Sequence, residues 1–243
     1  MRKFLLWDQD GVLVDTERWF FIATQECLGE LGIELDQATY LQYMAAGRSY
    51  WELALDHGRS DVVIAEKRRE RDRRYQSYLA TKDITIDGVL ETLHTLCQQY
   101  RMAIVSTSTR ADVALIHRFR VLMPFFEFVL TIEDYAQPKP APDPYRKALH
   151  RFGAVAREAV AIEDSARGLR SAMAAGIDCV VVYNAFTASQ DFSGAWRMLP
   201  TIRELPGVLA GSLPLAGDSG DAPLPCCTCS LHPRRSGSPW SPH

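Results

Sequence analysis

Four polar segments hold the residue types that can do chemistry, and three of them stand directly behind short apolar runs. Asp8-Gln9-Asp10-Gly11 follows Phe4-Leu5-Leu6-Trp7. Two carboxylates this close together, just past a buried strand, converge in the crevice where open parallel sheets bind ligands. Such a pair can anchor a divalent cation and divide acid and base roles between two surroundings. Gly11 lets the chain leave the strand through a backbone conformation that a side chain would obstruct. A calcium loop would need a ligand at Val12, glycine at Leu13 and glutamate at Trp19, so that reading fails. Ser106-Thr107-Ser108 is a hydroxyl cluster behind Met102-Ala103-Ile104-Val105. Glu163-Asp164-Ser165, with Gly168 beyond, follows Val160-Ala161-Ile162. The fourth segment is a lysine among prolines, Pro138-Lys139-Pro140-Ala141-Pro142-Asp143-Pro144. Each segment alone is ordinary: a strand-end hydroxyl, a surface lysine, an acidic helix start. Their occurrence together behind separate strands makes them a candidate site.

The elements that would position these residues are legible as apolar runs at 4–7, 102–105, 160–162 and 179–183, with a weaker one at 128–131. They are short, unbroken and rich in β-branched residues, as parallel strands buried on both faces are. Helical patterns at 111–119, 144–152 and 166–175 lie between them, the last ending at Gly176. The alternation predicts a doubly wound, Rossmann-like α/β sheet. Between residues 16 and 87 the pattern turns wholly helical, with stretches at 16–31, 37–45, 49–57 and 62–80 and Thr16 as N-cap of the first. The expected organisation is an α/β core of 1–15 and 88–209 with 16–87 as a helical cap. Asp15-Thr16 and Ile86-Asp87-Gly88 serve as the two hinges.

Composition is that of an ordinary globular chain: 243 residues, 47% hydrophobic and 23% charged. The formal net charge of -3 gives no electrostatic footprint for nucleic acid. No apolar run is long enough to cross a bilayer. The apolar stretch behind Met1-Arg2-Lys3 ends at Asp8, too short for a signal peptide, so a cytoplasmic location is expected. Cys27, Cys97 and Cys179 read as buried, reduced thiols. The basic run 66–74 is nearly balanced by Glu66, Glu70 and Asp72 and reads as a solvated helix face. Residues 210–243 hold six of the thirteen prolines and read as a disordered tail. Cys226-Cys227-Thr228-Cys229 with His232 matches no common zinc spacing.

The four segments, in this order and with a long interval between Asp8 and Ser106, resemble the haloacid dehalogenase superfamily. Within it the chain is similar to the branch with a helical cap, which holds β-phosphoglucomutase-like and phosphoglycolate-phosphatase-like enzymes. The resemblance implies that Asp8 is a nucleophile forming an aspartyl-phosphate, and that Asp10 is the general acid and base. Ser106, the Thr107 N–H and Lys139 would bind the phosphoryl group. Mg²⁺ would be held by Asp164, an Asp8 oxygen and the Asp10 carbonyl, with Glu163 in direct contact or one layer behind. Asp10 also disfavours dehalogenation, which has no oxygen leaving group to protonate. A sugar-phosphate mutase is the alternative to a phosphatase; it would carry a histidine near Trp19-Phe20, where none stands. In Ala46-Gly47-Arg48-Ser49, Arg48 is positioned to reach a substrate from the cap. The implied partner is a small phosphorylated metabolite, bound by a monomer or weak homo-oligomer.

Overall fold

All five apolar runs become strands of one parallel sheet, and a sixth strand joins its edge. The structure is a computed structural model and describes residues 2–46, 48–118 and 121–211. In chain order the strands are β1 (Phe4–Trp7), β2 (Arg101–Val105), β3 (Phe128–Leu130), β4 (Ala159–Glu163), β5 (Asp178–Val182) and β6 (Arg197–Leu199). Their order across the sheet is β3-β2-β1-β4-β5-β6. Every pairing is parallel, with Trp7 in register with Ile104 on one side and Ile162 on the other. Chain connections run outwards in both directions from β1, so the crevice at its carboxyl end is the switch point where such sheets bind ligands.

The strands alternate between two cores, as the period of two requires. One face buries Leu5, Trp7, Met102, Ile104, Val160 and Ile162 under α5 (Val89–Leu96) and α9 (Leu205–Ala210). The other buries Leu6, Ala103, Val105, Ala161 and Val181 under α7 (Asp143–Phe152) and α8 (Ala166–Ala174). α7 begins with Asp143 and Pro144 and stops at Gly153, whose φ of 65° terminates the helix. α6 (Arg110–His117) follows β2 and is capped by Thr109.

The stretch between β1 and β2 holds α1 (Glu17–Gly29), α2 (Gln37–Ala46), α3 (Glu52–Asp56) and α4 (Asp61–Thr81). These helices bury their own apolar cluster, including Leu28, Leu35, Tyr40, Trp51 and Ile64. The basic run on α4 does more than face solvent. Lys67 and Arg74 both pair with Glu30, the C-cap of α1, as well as with Glu70 on their own helix, so charge joins the two longest helices of the insert. The crossings into and out of the insert are joined too: Asp15 N–H donates to the Ile84 carbonyl at 2.9 Å, and Val14 bridges Thr85 in antiparallel fashion.

Several boundaries differ from the sequence reading. β6 carried no signal, since two of its three residues face solvent. The helix expected at 49–57 shortens to α3. α9 runs through Ala210, one residue into the expected tail. Residues 212–243, with their cysteine cluster, lie outside the described residues, as does Gly47. Cys27, Cys97 and Cys179 are buried, as expected. Among the described residues no helix is long and apolar enough to cross a membrane.

Trp7 is fully buried at the end of the central strand, and its indole N–H meets no acceptor among the described residues. Trp7→Ala is therefore expected to lower unfolding free energy by about 3–5 kcal/mol. Trp7→Phe sacrifices no hydrogen bond and should cost less than about 1.5 kcal/mol. Urea denaturation of the two variants checks the ranking; equal losses would contradict it.

Candidate active site

The carboxyl ends of β1, β2 and β4 bring the four polar segments together. Asp8 continues β1, its N–H donating to the Ile162 carbonyl at 2.8 Å. Lys139 reaches in from the proline-rich loop before α7 and is only 4% exposed. Its Nζ donates to Asp8 Oδ1 at 2.6 Å and to the Val105 carbonyl at 2.7 Å, and it pairs with Glu163 Oε1 at 2.7 Å. All three ammonium protons have acceptors. Burial alone would lower the Lys139 pKa, but the charges of Asp8 and Glu163 outweigh it and hold the group above the usual lysine value.

Glu163 is fully buried at the end of β4. Its Oε1 also accepts a hydrogen bond from the Tyr145 hydroxyl at 2.5 Å, while Oε2 has no hydrogen-bond partner among the described residues. A Cβ at Gly168 would lie 1.9 Å from that Oε2, so glycine there is what gives the carboxylate room. Asp164 turns toward Asp8 and accepts from Asn184 Nδ2 at 2.9 Å. Gly11 has φ of 80°, and a Cβ on it would fall 2.1 Å from Asp164 Oδ2. The backbone of the turn after β1 thus presses directly on the acidic cluster.

Asp10 stands apart from this cluster. Its Oδ1 accepts from the Thr16 hydroxyl at 2.6 Å and its Oδ2 from the Ser108 hydroxyl at 2.7 Å. Ser106 Oγ is 3.4 Å from Oδ2 and also accepts the Ser108 N–H at 3.0 Å, while Gln9 Nε2 lies 3.3 Å from Oδ2. Hydroxyls donate or accept as they rotate, so these partners can serve either protonation state of Asp10.

Oxygen atoms of Asp8, Glu163 and Asp164 lie within 4.8 Å of one another, and all three residues are buried. Buried carboxylate oxygens, one of them without a partner, form the hard, anionic donor set that Mg²⁺ or another hard divalent cation takes. Crowding shows in the protonation of the bare protein. Burial, with Glu163 and Asp10 adding to it and Lys139 opposing, pushes Asp8 up to about 7. Burial and the charges of Asp8 and Glu163 push Asp164 well above the usual carboxylate range.

Comparison with known proteins matches residues 5–182 to the haloacid dehalogenase-like hydrolase family. The chain belongs to this family. CbbY of Rhodobacter capsulatus is 33% identical over 81% of this chain and 92% of its own. The fructose-1-phosphate phosphatase YqaB of Escherichia coli is 28% identical over 73% of this chain and 95% of its own. Among solved structures, a mutant CbbY from Rhodobacter sphaeroides in complex with xylulose 1,5-bisphosphate superposes with a TM-score of 0.72. It is 27% identical and covers 84% of this chain and 96% of that one.

Of the residues expected from the sequence, the fold brings together Asp8, Asp10, Ser106, Lys139, Glu163 and Asp164, with Thr107 half-buried beside them. Arg48 is not brought in: its guanidinium is held by Glu52 one turn on, stacks on the Tyr43 ring, and is half exposed. Thr16 is not a side-chain cap of α1, because its hydroxyl is committed to Asp10. Ser108, Asn184, Tyr145 and Gln9 went unassigned. Asn184 carried a usable signal, since it stands just past the apolar run of β5 and strand ends converge on the same crevice.

The raised carboxylate pKa values set the pH dependence of cation binding. A buried acid with a raised pKa stabilises the folded state below its unfolded pKa, and that stability is lost as pH rises through the folded value. The bare protein should therefore lose stability through Asp8 between about pH 4 and its folded value near 7. Bound Mg²⁺ requires the ionised forms, so its stabilising effect should grow over the same interval. Melting scans with and without Mg²⁺ at pH 5 and pH 8 check this. A larger gain in melting temperature at pH 8 is expected, and equal gains would contradict it.

Proposed function

We propose that the chain is a Mg²⁺-dependent phosphatase that hydrolyses a small phosphorylated metabolite of the sugar-phosphate type through an aspartyl-phosphate. The observation that carries this reading is the separation of two neighbouring aspartates into different surroundings. Asp8 is locked against Lys139 within the carboxylate cluster, whereas Asp10 is held by hydroxyls outside it. The phosphatases and the bisphosphate complex among the relatives support the substrate class.

Asp8, ionised and oriented by Lys139, attacks phosphorus with its free carboxylate oxygen. Asp10 gives its proton to the departing oxygen, and the phosphoryl group becomes an acyl phosphate on Asp8. Asp10, now a carboxylate, removes a proton from the water that attacks phosphorus in the second step. Hydrolysis frees Asp8 and inorganic phosphate, with Asp10 protonated again. The Thr107 N–H, which meets no acceptor among the described residues, and the Lys139 ammonium face the phosphoryl oxygens and offset their charge. Asp8, Asp164 and the Asp10 carbonyl, with Glu163 beside them, would hold a Mg²⁺, which would supply further neutralisation of phosphoryl charge.

Hydrolysis is favoured over the mutase alternative. Trp19 and Phe20 occupy the position where a mutase needs a histidine, and both pack into aromatic contacts with α4, on Tyr78 and Tyr75.

The test is release of inorganic phosphate from a panel of sugar phosphates with Mg²⁺, and its loss on adding a chelator. Asp8→Asn should abolish turnover. Asp10→Asn should lower kcat by about 10²–10⁴-fold. Wild-type turnover by Asp8→Asn would overturn the nucleophile assignment. Bisphosphate-primed interconversion of glucose 1-phosphate and glucose 6-phosphate, without net phosphate release, would favour the mutase.

A further inference from the structure

Arg167 sits at the second position of α8, three residues beyond Asp164, so the helix that starts at the site carries an exposed guanidinium on its first turn. Its Nη2 lies 3.3 Å from Thr107 Oγ1, joining the end of β4 to the hydroxyl segment behind β2. That is a long hydrogen bond to a neutral hydroxyl. Among the described residues no carboxylate comes within ion-pair distance of it. Arginines of the insert are differently placed, each in an ion pair: Arg48 with Glu52, Arg71 with Asp72 and Arg74 with Glu30 and Glu70. Arg167 also looks across to the insert, since its charge acts on Glu17 and Tyr50 there as well as on Tyr135 of the core. It therefore stands at the rim, between the phosphoryl-binding segment and the helical insert.

A guanidinium has five donors in a planar fork suited to phosphate and carboxylate, and here nearly all of them remain for a ligand. We propose that Arg167 binds a second anionic group, a phosphate or a carboxylate, on a substrate whose first phosphoryl group lies against Asp8. The assignment rests on the phosphatase reading and narrows its substrate class to doubly anionic metabolites. It moves the specificity contact from the insert, where Arg48 is tied to Glu52, to the core helix that begins at Asp164. Reach fits the role: an arginine side chain on the first turn extends toward the helix N-terminus, the same end at which the phosphoryl group lies.

The experiment compares kcat/KM of the wild type, Arg167→Ala and Arg167→Lys on fructose 1-phosphate, fructose 1,6-bisphosphate and phosphoglycolate, with Mg²⁺. For Arg167→Ala, the ratio of kcat/KM on a doubly anionic substrate to that on fructose 1-phosphate should fall by about 10–100-fold, mainly through KM. Arg167→Lys, which keeps the charge and loses the fork, should fall between the two. A drop confined to the bisphosphate identifies phosphate as the second group, and one confined to phosphoglycolate identifies carboxylate. Unchanged ratios, with all three substrates equally affected or unaffected, would overturn the assignment. If the wild type releases phosphate from none of them, the phosphatase reading fails. Titration calorimetry of the same compounds then decides Arg167 separately: selective weakening of a doubly anionic ligand in Arg167→Ala upholds it, and unchanged affinity overturns it.

Discussion

A lysine ammonium almost cut off from water is the constraint on which the rest of the site depends. Burying an unpaired charge costs far more than any single contact returns, so a buried Lys139 exists only where every proton finds an acceptor. The three it finds belong to three strand ends: Asp8 behind β1, the Val105 carbonyl on β2 and Glu163 on β4. Moving any one of these strands along its neighbours would leave a charge unsatisfied. The register of the central strands and the position of the lysine are thus one requirement. Tyr145 extends it to α7, whose hydroxyl fixes Glu163 from behind, and the proline-rich loop delivers the lysine with little freedom to withdraw.

The helical insert is part of the same arrangement. Thr16, its first residue, holds Asp10 through a side-chain hydrogen bond, and the return crossing pairs with the outgoing one at Val14 and Thr85. A movement of the insert about these crossings acts first on the Thr16 hydroxyl, and so on Asp10. Asp8 is held by Lys139 and the end of β4, with no such link to the insert among the described residues. Asp8 is therefore positioned by the sheet, while Asp10 also answers to the insert.

How much of this the sequence discloses follows from what kind of signal each feature leaves. β1, β2, β4 and β5 were legible because a parallel strand buried on both faces must be apolar throughout, and the polar residues that end each run had to meet at one edge. β6 is half exposed and three residues long, which leaves no run to see. Asp8, Asp10 and Asp164 were legible because a charge behind an apolar strand is rare, and Lys139 because prolines bracket it. Thr16 and Ser108 were not, since a hydroxyl at a helix start or strand end has an ordinary use as a cap, and only geometry shows that it serves a carboxylate instead. Arg48 shows a competing local partner. Its neighbour at the fourth following position is Glu52, and that spacing satisfies the guanidinium locally before any substrate can claim it.

Charge balance explains why a cation belongs in this site rather than merely fitting it. Asp8, Glu163 and Asp164 crowd the ends of β1 and β4 around the ammonium of Lys139. A phosphoryl group adds further negative charge at the same place, and each like-charge contact at 4 Å is worth about 4 kcal/mol in a surface-like dielectric. Without a counter-charge, the protein relieves this by taking up protons, which is the sense of the raised Asp8 and Asp164. A protonated Asp8 cannot attack phosphorus. The crowding that makes the bare site a proton acceptor is thus what makes it a cation binder, and a bound divalent cation returns Asp8 to the charged state. Asp10 lies outside this crowding, held by the hydroxyls of Thr16 and Ser108. Two aspartates separated by one residue thus meet different surroundings, one among carboxylates and an ammonium, the other among hydroxyls.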